Sequence, residues 1–172
     1  EGLGLELDNF ISHARRENLA YEVIALEDPD PDTRKRALLR TLQDCKLPAI
    51  VYASRTKRVE ELVSQIRAAG MNVKGYHGQM KREEKQANQE AFMRKDVDVM
   101  VATKAFGMGV DKEDVQTVIH YNISSSLEEY IQEAGRAGRK ADINAQCFIL
   151  YHPNDLSGHF QLLNRSKLNQ SE

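Results

Sequence analysis

The stretch from Asp96 to Arg139 reads DVDVMVATKAFGMGVDKEDVQTVIHYNISSSLEEYIQEAGRAGR, and it decides the fold. It contains two short apolar runs, Val97–Ala102 and Val115–His120, which are rich in β-branched residues and flanked by polar turns. Such runs are typical of parallel strands that are buried on both faces. In a sheet of this kind, ligands bind beyond the carboxyl ends of the strands, where the connecting loops gather. We therefore expect a ligand site in the loops that follow these two runs.

The same stretch closes on Gly135-Arg136-Ala137-Gly138-Arg139, at the end of an amphipathic segment. Arginines three positions apart on a helix point in similar directions, so Arg136 and Arg139 are predicted to lie side by side. A guanidinium group can bind a phosphate with two parallel hydrogen bonds. The pair therefore indicates phosphate chemistry, although salt bridges at a helix end would be an alternative use of both side chains.

Outside this stretch, short apolar runs alternate with segments that have helical periodicity. The helical segments are 32–44, 57–69 and 81–94. This alternation predicts an α/β fold, with a mostly parallel sheet, helices on both faces and right-handed crossovers. The predicted strands are Leu19–Leu26, Ala49–Ala53, Val73–Tyr76, Val97–Ala102, Val115–Tyr121 and Gln146–Tyr151.

The composition is typical of a soluble globular protein, with 172 residues, 41% of them hydrophobic and 29% charged. The net charge of −2 gives no general support to nucleic-acid binding, so any basic surface must be local. The sequence predicts no membrane partner, a monomeric domain and a cytoplasmic location, in the bacterial cytosol or nucleoid. Cys45 and Cys147 lie far apart with no further Cys or His beside them, which predicts buried thiols and no metal site.

One basic cluster stands in the helical segment 32–44, on the side opposite its apolar residues. We interpret it as a solvated helix face, and contact with a nucleic-acid backbone is the alternative. Its members are Arg34, Lys35, Arg36 and Arg40.

Polar residues that suit a phosphate follow three of the predicted strands. Ser54 and Thr56 precede a helix, whose N-terminus is a natural anion site, although either hydroxyl could simply cap that helix. Gly78 would allow a backbone N–H to approach a phosphate closely, while the neighbouring His77 is interpreted as a structural residue at a strand end. The Thr103 hydroxyl could donate to a phosphate oxygen or cap the next turn.

Two segments carry a resemblance to a known family. The segment Ala102–Lys112, ATKAFGMGVDK, resembles motif V of superfamily 2 helicases in the form typical of RecQ-like proteins. The segment Gln132–Arg139, QEAGRAGR, resembles motif VI of the same family, and the two occur in the expected order with a strand between them. The resemblance extends from about Asn18 to Asp155. It implies a RecA-like lobe, of the type found in P-loop NTPases.

The resemblance also implies roles for individual residues. Arg136 and Arg139 would be catalytic arginine fingers, and the nucleotide would be contacted by Gln132, Gly109 and Asp111, unless Asp111 only caps a turn. Residues at motif IV, in the Tyr76-His77-Gly78 element and at the start of motif V would bind the nucleic-acid backbone. These residues are Ser54, Arg55, Thr56, His77, Gly78 and Thr103.

The sequence lacks a GxxxxGK[ST] stretch and a DExH-like quartet, so ATP and Mg²⁺ would be held mainly by a missing first lobe. We therefore expect the second motor lobe of an ATP-dependent DNA helicase, inactive alone, with single-stranded and duplex DNA and the first lobe as partners. The expected division is 1–17 as an inter-lobe linker, 18–155 as the lobe and 156–172 as an extension. The alternatives are a DEAD-box-like RNA helicase lobe, which motif VI disfavours because it begins Gln132-Glu133 rather than His-Arg, and a non-catalytic interaction module.

Overall fold

The computed structural model describes residues 16–107 and 111–156. Each of the six predicted strands is present. Strands β4 and β5 each begin two residues later than the sequence predicts, because their pairing in the sheet starts at Val99 and Thr117. The strands are β1 Leu19–Ala25, β2 Ala49–Tyr52, β3 Val73–Tyr76, β4 Val99–Ala102, β5 Thr117–His120 and β6 Ala145–Tyr151. The helices are α1 Pro31–Asp44, α2 Thr56–Ala68, α3 Arg82–Met93 and α4 Leu127–Ala134.

The strands form one six-stranded sheet in the order β1-β6-β5-β2-β4-β3. Every neighbouring pair is parallel, which confirms the predicted fold class. Because the strands are parallel, all of their carboxyl ends meet at one edge, and the loops that carry the candidate residues leave from that edge.

Alternation along β2 divides the core between the two faces of the sheet. Ala49 and Val51 pack with the apolar residues of α1 and α2, while Ile50 and Tyr52 pack in the cluster that contains Phe92 of α3 and Ala134 of α4. Successive strand residues point to opposite faces, so this division follows directly from the strand period. It brings Tyr52 to the same side of the sheet as α4.

The helix ends follow simple signals in the sequence. Asp30 caps α1, since its Oδ1 accepts hydrogen bonds of 2.9 Å from the N–H groups of Asp32 and Thr33. Gly70 lies just beyond α2 with φ of 85°, in the left-handed region that glycine enters without a steric penalty. In the described part of the chain, no helix has the length and apolar character needed to cross a membrane.

The interpretation of the α1 basic cluster as a solvated face is wrong for Arg34. Its side chain is buried and donates to the carbonyl oxygens of Tyr121, at 2.7 Å, and Leu150, at 3.1 Å. It also forms a bidentate pair with Asp155, at 2.7 Å to each carboxylate oxygen. The carbonyl groups near the ends of β5 and β6 need donors when buried, and Arg34 supplies them. Arg34 is therefore a structural link between α1 and the helical turn at 153–156.

Candidate functional site

A groove of about 720 Å³ runs along the carboxyl edge of the sheet. It is lined by the loops after β2, β3 and β4 and by one side of α4. The groove brings together six of the eleven site residues predicted from the sequence. These are Ser54, Thr56, Gly78, Thr103, Gln132 and Arg136.

The hydroxyl groups after β2 do not cap the helix that follows them. The N-cap of α2 is Arg55, an exposed residue that makes no side-chain capping bond, so the capping interpretation is wrong. The Ser54 hydroxyl instead donates to Asn122 Oδ1 at 3.2 Å, and the Thr56 hydroxyl donates to Gln79 Oε1 at 3.2 Å. Both bonds join loops at the rim of the groove, where exposed hydroxyl groups can exchange partners.

Thr103 and Gly78 present donors toward the same groove. The backbone N–H of Thr103 donates to the carbonyl oxygen of Tyr76 at 3.1 Å, which ties the start of motif V to the end of β3. Among the described residues, neither the Thr103 hydroxyl nor the Gly78 N–H has a hydrogen-bond partner. A Cβ added at Gly78 would meet no atom within 4 Å, so the fold itself does not require glycine there.

His77 lies apart from this groove, in a polar cavity of about 560 Å³ between α2 and α3. Its ring is buried, with Nε2 lying 3.5 Å from Glu60 Oε1. Within the described residues, Nδ1 has no hydrogen-bond partner. Burial of the ring favours the structural interpretation of this side chain.

Arg136 is held against the loop that follows β4. Its Nη2 donates to the carbonyl oxygen of Gly107 at 2.7 Å, and a Cβ at Gly107 would lie 2.7 Å from the same nitrogen. The guanidinium group also lies near Tyr52, whose pKa is raised well above its usual value by burial while Arg136 acts in the opposite direction. Motif VI and motif V are therefore in direct contact within the lobe.

Arg139 does not line the groove and forms an ion pair with Asp111 on the adjacent surface. The two side chains are 34% and 73% exposed, respectively. An exposed pair of this kind contributes only about 0–1 kcal/mol, so Arg139 can exchange Asp111 for a phosphate at little cost. Gly109, the remaining predicted nucleotide contact, lies outside the described residues.

Sequence reasoning missed a polar cluster beneath the groove. Glu133 Oε2 lies 2.9 Å from His120 Nε2 and accepts a hydrogen bond of 3.0 Å from the Ser124 hydroxyl. The His120 ring stacks on Tyr52 with 5.5 Å between ring centroids and an interplanar angle of 24°. The sequence does contain a feature that could have indicated this cluster, because His120 is a polar residue at the end of a buried run and Glu133 is an acidic residue within motif VI.

The family comparison agrees with this arrangement. Residues 34–141 match the helicase conserved C-terminal domain. The ATP-dependent DNA helicase RecQ of Bacillus subtilis is 34% identical over 158 residues, which cover 91% of this chain and 25% of that protein. The ATP-dependent DNA helicase Q5 of Rattus norvegicus is 42% identical over 106 residues, covering 62% of this chain and 11% of that protein. The chain thus spans a quarter or less of the length of these relatives.

Solved structures show the same fold. The RNA helicase Prp28 of Chaetomium thermophilum, bound to ADP, has a TM-score of 0.69 at 25% identity, over 86% of this chain and 37% of that one. The C-terminal domain of the DEAD-box protein Dbp5 has a TM-score of 0.67 at 16% identity, over 86% of this chain and 85% of that one. Family model, RecQ relatives and fold agree, and the chain belongs to the helicase conserved C-terminal domain family, within which its sequence resembles the RecQ helicases.

Proposed function

We propose that this chain is the second motor lobe of an ATP-dependent DNA helicase. In this role, the lobe spans about residues 18–155, between a linker and a C-terminal extension. It binds the backbone of a single strand in its groove, next to the duplex to be opened, and presents arginines to ATP that is held with Mg²⁺ by a first lobe. The observation that carries the proposal is the groove itself, in which residues of motif V and motif VI lie side by side.

Backbone binding is supported by the kinds of donor around the groove. Ser54, Thr56 and Thr103 supply hydroxyl groups, and Gly78 supplies a backbone N–H at a position open to solvent. Arg55 is exposed at the start of α2 and adds a positive charge at the rim. Such groups bind phosphates and sugars without reading base edges, which suits a protein that moves along any sequence. For His77, whose buried ring lies next to Glu60 just after β3, we propose a structural role.

The residues predicted to contact the nucleotide make up only part of an ATP-binding site, which supports a requirement for a first lobe. Arg136 and Arg139 supply guanidinium groups, and Gln132 supplies an amide at the groove. We propose that Gly109 and Asp111 meet the nucleotide once Arg139 has moved from Asp111 to the γ-phosphate. When ATP is bound, its γ-phosphoryl group accumulates negative charge during transfer, and arginine side chains stabilise that charge. The sequence has no P-loop to cradle the other phosphates, so the isolated lobe is expected not to hydrolyse ATP.

Movement along the strand would follow from strand binding in the groove combined with arginine contact to ATP. Closure of this lobe on ATP would carry the bound strand toward the first lobe, and opening after hydrolysis would release it. Each cycle then advances the protein along the strand and separates the duplex ahead of it.

Titration of the ¹⁵N-labelled chain with single-stranded DNA, and in parallel with RNA of the same sequence, tests strand binding by NMR. Weak, salt-dependent shifts confined to the groove residues are expected, with stronger binding of DNA. We expect Thr103→Ala to weaken binding and Ser64→Ala, a matched hydroxyl deletion on α2 outside the groove, to leave it unchanged. Preference for RNA would favour the DEAD-box alternative, and the absence of binding to either would favour a non-catalytic interaction module.

A further inference from the structure

A set of polar and aromatic side chains is buried beneath the groove and connects three elements. Glu133 lies in the last turn of α4, His120 ends β5 and Tyr52 ends β2. The sheet register pairs Tyr52 with His120, so their rings lie next to each other on the face that α4 covers. His120 is 1% exposed and the Glu133 side chain is 11% exposed.

These contacts continue into motif V and return to motif VI. The Tyr52 hydroxyl donates to the carbonyl oxygen of Phe106 at 3.1 Å, and Arg136 donates to the carbonyl oxygen of the next residue, Gly107, at 2.7 Å. Arg136 follows Glu133 by three positions, just beyond the end of α4. The contacts therefore form a closed circuit, which we name the Glu133 circuit: Glu133, His120, Tyr52, Phe106, Gly107 and Arg136.

The tautomer of His120 follows from its surroundings. No described residue hydrogen-bonds to Nδ1, whereas Nε2 lies 2.9 Å from a Glu133 carboxylate oxygen. A buried N–H without an acceptor is costly, so the tautomer that carries its proton on Nε2 is favoured. Nε2 then donates to Glu133, and the Ser124 hydroxyl supplies a second hydrogen bond to the same oxygen.

We infer that Glu133 is a positioning residue that makes the groove loop 103–107 and Arg136 move together. Without its carboxylate, His120 loses the partner that orients its ring against Tyr52, and the bond from Tyr52 to the loop loses its support. Strand binding at Thr103 and nucleotide contact at Arg136 would then be uncoupled. The inference rests on the proposed function and adds to it the route by which a bound strand stimulates ATP turnover.

The decisive experiment uses the protein in which this lobe is joined to its first lobe, here called the two-lobe protein. ATP turnover is measured with and without single-stranded DNA for the wild type, Glu133→Ala, Glu133→Gln and the surface control Glu128→Ala. We expect Glu133→Ala to lower the stimulation ratio about 5-fold or more, a change typical of coupling between sites. Glu133→Gln should restore most of the ratio, because its amide oxygen can still accept from His120, and Glu128→Ala should match the wild type.

A purely structural role would give a different result. If Glu133→Ala lowers the melting temperature but leaves the stimulation ratio unchanged, the inference is overturned and the proposed function survives. Tyr52→Phe keeps the ring stack and removes the bond to Phe106, so it should reduce the ratio even if Glu133→Ala does not fold.

A second readout does not depend on turnover. In ¹⁵N NMR spectra of this chain, Glu133→Ala should change both the His120 tautomer and the Arg136 Nε signal, while Glu133→Gln and Glu128→Ala should not. Unchanged signals in Glu133→Ala would refute the circuit. A wild-type two-lobe protein that shows no DNA stimulation would instead refute the proposed function, and these spectra would still decide whether the circuit exists.

Discussion

Replacing Gly78 by alanine separates the stability of the lobe from its binding of a strand. The added methyl group would meet no atom within 4 Å, and the φ angle of Gly78 lies outside the left-handed region. Alanine restricts the unfolded chain more than glycine does, so the substitution should stabilise the fold by about 0.4–1 kcal/mol. For a domain of this size, that corresponds to a rise in melting temperature of about 1–4 °C.

Strand binding should change in the opposite direction. The Gly78 N–H has no hydrogen-bond partner among the described residues, and the residue lines the groove. A methyl group here would hold a phosphate away from that N–H, at the cost of one hydrogen bond to a charged group, about 1.5–3 kcal/mol. Affinity for single-stranded DNA should therefore fall about 10-fold or more.

The assay combines thermal unfolding with NMR titration of the chain by a single-stranded oligonucleotide. Gly75→Ala is the matched control for the same strand–loop element, because its Cβ would lie 3.2 Å from Val63 Cγ2 and act on packing instead of binding. An unchanged DNA affinity in Gly78→Ala, with the melting temperature raised, would refute the role of this N–H.

Three further predictions concern the fold. Gly138→Ala should destabilise the lobe by about 2 kcal/mol or more in denaturant unfolding, because φ is 57° and the new Cβ would lie 2.9 Å from Ala145 Cβ. Stability equal to that of the wild type would contradict this prediction, since the backbone would then relax around the new methyl group. Arg34→Met should cost about 3–5 kcal/mol, since it leaves the Asp155 carboxylate without its partner, and the cost should shrink in the double variant with Asp155→Asn. Burial raises the pKa of Cys147 from 9.0 to about 11, so the folded form holds its proton more tightly than the unfolded form. The stabilisation from this thiol is full below pH 9 and is lost as the pH rises toward about 11. Cys147→Ala should therefore lose less stability than the wild type between these pH values in denaturant unfolding. A loss equal to that of the wild type would contradict burial of the thiol as the cause.

The strands and the edge that carries the site could be predicted from the sequence because they depend on local patterns. Runs such as Val97–Ala102 are too short and too β-branched for helices, and parallel strands necessarily bring their following loops to one edge. That reasoning is sufficient to group Ser54, Gly78 and Thr103 at one edge of the sheet.

The features that the sequence did not reveal depend on contacts between distant elements. Helical periodicity placed Arg34 on a polar face, and only the sheet order shows that it lies against the carbonyl groups of Tyr121, just after β5, and Leu150 of β6. The contact between His120 and Glu133 requires both the register of β5 and the packing of α4, neither of which a local pattern contains. The pairing of Arg139 with Asp111 likewise joins two motifs whose relative position is set by the fold.

The most direct measurement is DNA-stimulated ATP turnover by the two-lobe protein, comparing the wild type with Arg139→Ala. Lys140→Ala is the matched control, since it removes the neighbouring positive charge, whose salt bridge among the described residues is with Glu113 at 3.7 Å. We expect Arg139→Ala to reduce turnover about 1,000-fold or more with ATP binding retained, Lys140→Ala to leave it near the wild-type level and the isolated lobe to be inactive. Full turnover in Arg139→Ala would contradict the assignment of this chain as a motor lobe that supplies an arginine finger.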